Sequence, residues 1–203
     1  MILSICFDDF YKSFMVAAQI LEDCGFRGTF NISLRNIVSE RKADRLRMFP
    51  DEDILTWDEL KRLQGVGHDI ASHGVRHNDL MLATPEELEL EIVTSKRLFE
   101  ARGIKVNSYA CAFNNYTWKA DELAAKHYRA IRGVQGINPL PFKGHVYHSL
   151  WGSDVIEKLA EYKDKPLWIV AAWHDINPTE FRAFMDRVKS CGIEVKTVAE
   201  MIG

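Results

Sequence analysis

Short apolar runs alternate with segments of helical periodicity along most of the chain. Residues 2–7 form an almost uninterrupted apolar run, which is typical of a strand buried on both faces. Residues 11–24 carry apolar side chains at helical spacing and are followed by Gly25, a common helix stop. A second strand is predicted at residues 27–32. The chain therefore begins with a strand, a helix and another strand.

The same alternation continues to the end of the sequence. Further strands are predicted at residues 68–72, 106–112, 128–132, 167–173 and 193–196. Further helices are predicted at residues 56–64, 84–103, 119–126, 153–162 and 177–192, several with a capping residue and a glycine stop. Residues 35–53 read as a solvated polar insertion, and residues 133–152, rich in Gly, Pro and aromatics, read as a long loop. This order predicts a parallel sheet, either closed into a barrel or doubly wound.

Five ionisable side chains follow three of the predicted strands. Asp8 and Asp9 end the first strand, His73 and His77 follow the 68–72 strand, and His174 follows the 167–173 strand. Two imidazoles four residues apart face the same way if residues 72–77 form a helical turn, and such pairs commonly bind one divalent metal. Ordinary loop histidines are the alternative. Functional groups in parallel sheets collect at the carboxyl ends of strands, which favours a site here.

Composition narrows the class of protein. The chain has 203 residues, 47% of them hydrophobic and 27% charged, which predicts one globular domain over residues 1–203. A net charge of -3 gives no basic surface for nucleic acid, and no apolar run is long enough for a bilayer. We expect a cytoplasmic protein, because no secretory signal precedes the first strand. The scattered cysteines Cys6, Cys24, Cys111 and Cys191 fall in apolar segments, so we expect reduced thiols packed among apolar residues.

Several segments resemble the motifs of the polysaccharide deacetylases, also called carbohydrate esterase family four. Residues 5–10 resemble the motif Thr-Phe-Asp-Asp-Gly, and residues 27–30 resemble its Ala-Thr-Phe-Phe strand. Residues 67–77 resemble Gly-His-Glu-Ile followed by a histidine, a Ser/Thr position and a second histidine, and residues 173–175 resemble Leu-His-Asp. Residues 109–114 align with Phe-Arg-Pro-Pro-Tyr-Gly. The resemblance implies an α/β fold, a distorted (β/α) barrel with about seven parallel strands, and metal-dependent hydrolysis of an acyl group.

The resemblance also implies a role for each matched residue. Asp9, His73 and His77 would bind the metal, with zinc the expected ion, because one carboxylate and two imidazoles leave coordination positions open. Asp8 would be the general base. His174 would be the general acid that protonates the leaving amine, and the backbone N–H of Phe113 would stabilise the oxyanion.

The sequence departs from the family pattern in the segment after the predicted fourth strand. Ala110 replaces the motif arginine that orients the catalytic aspartate, and Cys111 and Ala112 replace two prolines. Phe10 replaces the glycine after the aspartate pair, and no Asp-x-x-Asp-Trp segment is present. Arg132, near the end of the fifth predicted strand, is a candidate replacement for the arginine. A surface position for Arg132 is the alternative.

Three functions are compatible with these residues. The first is a hydrolase that removes an acyl group, N-acetyl above all, from a sugar or glycan whose rings stack on Trp118, Tyr147 or Trp151. The second is a hydrolase of small amides, imides or formamides on the same fold, since fold and family do not fix the substrate. The third is a metal-binding or glycan-binding module without catalysis, which retention of Asp8 and His174 disfavours. Each implies a glycan or small-molecule partner.

Overall fold

Seven parallel strands form the wall of a closed barrel. The structure, a computed structural model, describes residues 1–35, 37 and 53–203, so most of the predicted polar insertion lies outside the described residues. The barrel strands are β1 (Ile2–Asp9), β2 (Thr29–Ile32), β3 (Asp69–Ser72), β4 (Ser108–Ala110), β5 (Ala130–Gln135), β7 (Val146–Trp151) and β8 (Leu167–Trp173). They pair in the order β1-β2-β3-β4-β5-β7-β8, and β8 closes the barrel on β1. The predicted barrel is confirmed.

Two short strands extend this wall. β6 (Asn138–Pro139) pairs antiparallel with the beginning of β8, and β9 (Glu194–Val195) pairs with the first two residues of β1. The prediction of one long loop over residues 133–152 is therefore wrong, because β5 extends into this range and β6 and β7 lie inside it. In β7 the buried positions alternate with less buried ones, but two of the buried residues are Tyr147 and Ser149. Their hydroxyls obscure the apolar period in the sequence.

Helices cover the outer face of the wall. They are α1 (Phe14–Cys24), α2 (Trp57–Gly65), α3 (Pro85–Leu88), α4 (Ser95–Ala101), α5 (Trp118–Ala125), α6 (Gly152–Tyr162), α7 (Pro178–Ser190) and α8 (Val198–Ile202). The π-helical segment Glu89–Thr94 joins α3 to α4. The predicted helices are confirmed within a few residues at their ends, whereas α8 and the π segment were not predicted. None of the helices in the described ranges is long and apolar enough to cross a membrane.

Local sequence explains where the helices begin and end. Thr56 and Thr84 each accept a hydrogen bond from the backbone of a glutamate three residues later, forming the capping boxes that open α2 and α3. The side chain of Asn177 caps α7 in the same way. Gly25 takes a left-handed conformation, with φ of 82°, and ends α1.

Aromatic packing fixes β1 against its surroundings. The ring of Phe7 lies 5.3 Å from that of Phe14 on α1, 5.0 Å from Phe30 on β2 and 5.6 Å from Phe181 on α7. All four side chains are buried. Because Phe7 immediately precedes Asp8, this packing holds the carboxyl end of β1 rigidly at the rim of the barrel.

Two other expectations are corrected by the structure. Tyr147, expected as a platform for a sugar ring, is fully buried and stacks on Trp168 at 5.4 Å, so it is a core residue. Cys191 is exposed rather than packed with apolar residues, because it follows the last turn of α7. All four cysteines are free thiols, as expected.

Candidate active site

Asp8 and Asp9 point in different directions from the end of β1. Successive side chains of a strand alternate between its two faces. Asp9 also has a positive φ of 91°, which is rare for a residue other than glycine. Its carboxylate faces His73 and His77, while that of Asp8 faces Arg132. The two carboxylates therefore belong to different parts of the site.

Asp9, His73 and His77 bring three potential ligand atoms together. The Nε2 atoms of the two histidines are 3.2 Å apart, and Asp9 Oδ1 lies 3.3 Å from His77 Nε2 and 3.9 Å from His73 Nε2. Metal bonds of about 2.0–2.1 Å at tetrahedral angles separate ligand atoms by about 3.3 Å. The spacing and the donor types both fit a divalent metal such as zinc. Residues 72–77 do not form a helical turn, so a loop rather than a helix face brings the rings together.

Both imidazoles are held in the neutral form that binds metals. Burial lowers the pKa of His73 to about 3, although the nearby Asp8 opposes this shift. Burial also lowers the pKa of His77, with Asp9 opposing it. His73 Nδ1 donates a hydrogen bond of 2.7 Å to the backbone carbonyl of Ala110, which leaves the Nε2 lone pair directed at Asp9 and His77.

Asp8 is a buried carboxylate bound by two donors. Arg132 Nη1 donates to Asp8 Oδ1 at 2.8 Å, and Arg132 Nη2 donates to Asp8 Oδ2 at 2.6 Å. Asn31 Nδ2 donates to Asp8 Oδ1 at 2.8 Å. Burial alone would raise the pKa of Asp8, but Arg132 overrides it and holds this pKa well below the usual range. The surface position considered for Arg132 is wrong, because the residue is only 2% exposed.

His174 lies at the open side of Asp8. Its Nε2 atom is 3.9 Å from Asp8 Oδ2, and its ring packs against Trp151 with the ring centres 5.2 Å apart. The side chain of His174 is 40% exposed, compared with 3% for that of Asp8. A cavity of about 400 Å³ opens beside this histidine between Trp151 and Trp173. His174 can therefore reach a bound molecule and Asp8 at the same time.

The turn after β4 presents a backbone N–H near the histidines. Phe113 has φ of 58°, and its ring packs edge-on against His77 at 4.9 Å. The hydrogen bonds of the turn run from Asn114 N–H to Cys111 O and from Asn115 N–H to Ala112 O, so neither uses Phe113 N–H. The side chain of Phe113 is exposed.

Backbone strain is concentrated at this site. In the ranges that the structure describes, four residues other than glycine have a positive φ, and all four lie here: Asp9, His77, Phe113 and Asn114. Such conformations cost roughly 1–3 kcal/mol each and persist where the surrounding structure enforces them, often at functional sites. The strained backbone positions therefore lie in the same part of the fold as the clustered side chains of the candidate site.

The sequence profile of the polysaccharide deacetylases matches residues 2–130. This range is well over half of the chain and contains Asp8, Asp9, both clustered histidines and Phe113. The chain belongs to the polysaccharide deacetylase family. His174 lies beyond the matched residues. A search of curated proteins finds no match.

Solved deacetylase structures share the fold of this family member at low sequence identity. A deacetylase solved with substrate is 19% identical, with a TM-score of 0.69 over 98% of this chain and 89% of that chain. The Bc1960 peptidoglycan N-acetylglucosamine deacetylase is 14% identical, with a TM-score of 0.69 over 98% and 86%. BA3943 from Bacillus anthracis, described as a pseudoenzyme of carbohydrate esterase family 4, is 11% identical, with a TM-score of 0.70 over 100% and 65%. At these identities the likeness establishes the fold alone.

This member of the polysaccharide deacetylase family carries its buried arginine on a different strand from the motif position. Ala110 on β4 and Arg132 on β5 are register partners, so their side chains lie side by side on the same face of the wall. The small side chain of Ala110 leaves room for the guanidinium next to it. Asn31 was not identified from the sequence, because only the pairing of β1 with β2 places it opposite Asp8.

Proposed function

We propose that this protein is a metal-dependent hydrolase that removes an acyl group, N-acetyl above all, from a sugar or glycan. The observation that carries the proposal is the convergence of Asp9, His73 and His77, whose ligand atoms all lie within 4.8 Å of one another. The buried pair of Asp8 and Arg132 adjoins this cluster. A cluster of metal ligands beside a shielded carboxylate is the arrangement that acyl hydrolysis requires.

Asp9, His73 and His77 would hold the metal, and zinc is the ion that this donor set favours. When bound there, a divalent metal polarises the acyl carbonyl and lowers the pKa of water. Both imidazoles are already in their binding form, since burial lowers the pKa of His73 and of His77. Asp9 faces His77 directly, and His77 opposes the rise that burial causes in the pKa of Asp9. Little reorganisation is needed to bind the ion.

Three groups of the chain would carry the proton transfers and the charge. Asp8 accepts the proton of the attacking water, because Arg132 and Asn31 keep it ionised and fix its orientation. His174 donates a proton to the leaving amine from the exposed side of the site. The N–H of Phe113 donates to the oxygen of the tetrahedral intermediate.

A sugar substrate is supported by an aromatic side chain at the opening. Trp151 is 41% exposed, packs on His174 and lines the cavity beside it. An exposed indole ring at a cavity is suited to stacking on the apolar face of a sugar ring. Trp118 is 70% exposed at the beginning of α5 and does not line this cavity. The Bc1960 relative is a peptidoglycan N-acetylglucosamine deacetylase, which agrees with a glycan substrate.

A second candidate is the hydrolysis of a small polar amide, imide or formamide. A narrow cavity of about 10 Å³, room for roughly one water molecule, lies beside Asp8 and is lined in part by Asn114 and Ser149. The Oδ1 atom of Asn114 is buried without a hydrogen-bond partner among the described residues. An acyl group with its own N–H or O–H donor would satisfy this oxygen, whereas an acetyl methyl would leave it unpaired.

The test is a screen for amine release with metal-loaded protein and matched substrates. Acetylated sugars, formamides and cyclic imides are compared, and bound metal is measured in the parent and in His73→Ala and His77→Ala after chelation and reloading. We expect about one metal per chain in the parent and a large loss in both variants. His68→Ala is the control, because His68 is buried away from the cluster and accepts a hydrogen bond from Gly28 N–H.

Two results would contradict the proposal. If both histidine variants bind as much metal as the parent, the site is assigned to the wrong residues. If the parent binds metal but releases no amine from any substrate, the chain is a binding module rather than an enzyme. Turnover of formamides or imides without turnover of acetylated sugars would support the second candidate.

A further inference from the structure

The loop that carries His77 has an unusual backbone. Gly74 has φ of 86° and His77 has φ of 61°, so the chain is left-handed at both ends of a four-residue segment. Consecutive N–H groups in such turns point towards a common centre and form a concave anion-binding site. Here the anion belongs to the protein itself.

The carboxylate of Glu91 fills this concave site. Val75 N–H donates to Glu91 Oε2 at 2.8 Å, and Arg76 N–H donates to Oε1 at 2.9 Å and to Oε2 at 3.1 Å. Glu91 has no exposed surface. Burial raises the pKa of Glu91 and the backbone N–H donors oppose this shift, so these hydrogen bonds stabilise the charged form of the carboxylate.

Gly74 is required for this contact. A Cβ atom at position 74 would lie 2.1 Å from Glu91 Oε2 and 3.1 Å from the hydroxyl of Tyr109. Glu91 therefore occupies the space that a side chain at position 74 would need. Glycine and the buried glutamate form one structural unit.

The π-helical segment aims Glu91 at the loop. Glu91, Ile92 and Val93 are three consecutive buried residues, which is a wider buried face than a regular helix packed on one side presents. The hydroxyl of Ser95 donates to the carbonyls of Glu91 and Ile92, and Tyr128 OH donates to Ile92 O at 3.0 Å. The segment is therefore held rigidly beneath the loop.

We infer that Glu91 is a positioning residue that fixes His77 in the geometry required for metal binding. It holds the backbone of Val75 and Arg76, directly before His77, and thereby offsets the cost of two left-handed conformations. His73 extends directly from β3 and is held by Ala110 O, whereas His77 depends on this loop. The inference rests on the proposed metal site. It adds Glu91 as a residue that positions the metal ligand His77 through the backbone of the loop.

The test separates positioning from general stability. The variant is Glu91→Gln, which keeps the size of the side chain but directs an NH2 group at backbone donors. The control is Tyr128→Phe, which removes a buried hydroxyl that donates to Ile92 O in the π segment rather than to the loop. Zinc dissociation constants are measured by competition with a chromogenic chelator, and the melting temperatures of the metal-free proteins are measured by circular dichroism.

We expect Glu91→Gln to raise the zinc dissociation constant by about 10–100-fold, while Tyr128→Phe changes it by no more than about twofold. Glu91→Asp, which keeps the charge but shortens the side chain, should fall between the parent and Glu91→Gln. The decisive comparison is between the zinc dissociation constant of Tyr128→Phe and that of a folded Glu91 variant with a similar melting temperature. Either Glu91→Gln or Glu91→Asp can serve as that variant.

Three outcomes would overturn the inference. The first is parent-like zinc binding by a folded Glu91→Gln, and the second is equal loss of affinity in Glu91→Gln and Tyr128→Phe. The third is failure of both Glu91 variants to fold without metal, since Glu91 would then serve the fold rather than one ligand. A parent that binds no zinc would overturn the proposed function as well, whereas the first three results leave that function intact.

Discussion

Arg132→Met should destabilise the protein by about 3–5 kcal/mol, the usual cost of removing one partner from a buried ion pair. The magnitude follows from the burial of both partners, since Asp8 and Arg132 are each 2% exposed and are joined by two hydrogen bonds. Without Arg132, the Asp8 carboxylate keeps only the hydrogen bond from Asn31. Burial, which Arg132 now overrides, would then raise the pKa of Asp8.

A double-mutant cycle distinguishes an unpaired charge from simple loss of packing. Asp8→Asn in the Arg132→Met background removes the charge that was left unpaired, so the double variant should be more stable than Arg132→Met alone by about 1–3 kcal/mol. Ala110→Arg in an Arg132→Ala background should recover part of the loss. Positions 110 and 132 are register partners on the same face of adjacent strands, so a guanidinium at 110 can reach Asp8.

The assay is urea unfolding of the metal-free proteins, followed by tryptophan fluorescence. The control is Arg182→Met, which breaks an equally short ion pair with Asp23 on the exposed surface and should change stability little. If Arg132→Met loses less than about 1 kcal/mol, or if Asp8→Asn gives no recovery, the reasoning about this pair is wrong.

Three further predictions concern single substitutions. Asp8→Asn should keep the metal and lower kcat by about 10²- to 10⁴-fold, and parent-like turnover would refute its role as base. His174→Ala should also keep the metal and impair amide substrates more than activated esters, whose leaving groups need no proton; equal losses would argue against an acid. Burial raises the pKa of Asp69 to about 6, above its unfolded value near 3.9, so its stabilising contribution is full below pH 4 and is lost as the pH rises through 6. The stability of Asp69→Asn relative to the parent, measured by urea unfolding, should therefore improve by about 2 kcal/mol between pH 4 and 7.5, and a constant difference would contradict this.

Most helices and strands, and the residues of the candidate site, could be predicted from the sequence alone. The helices were predictable from capping residues such as Thr56 with Glu59 and from stop residues such as Gly25, because these signals act over three or four residues. The aspartates after Phe7 and the histidines at 73 and 77 were recognisable because residue type and spacing within a few positions are visible in the sequence. The alternation of strand and helix indicated a parallel architecture for the same reason.

The contacts between distant residues of the site became apparent only in the folded chain. Asp8 is bound by Arg132 and Asn31, which are brought to it by the register of β5 and β2 within the closed barrel. No local pattern in the sequence encodes that register. Residues 133–152 looked like a loop because β7 turns Tyr147 and Ser149 inward, and their burial becomes apparent only once the barrel encloses them. Glu91 reaches the His77 loop from 14 residues further along the chain. Strand pairing and loop packing are collective outcomes of the whole chain, whereas capping, spacing and ligand type are properties of a few neighbouring residues.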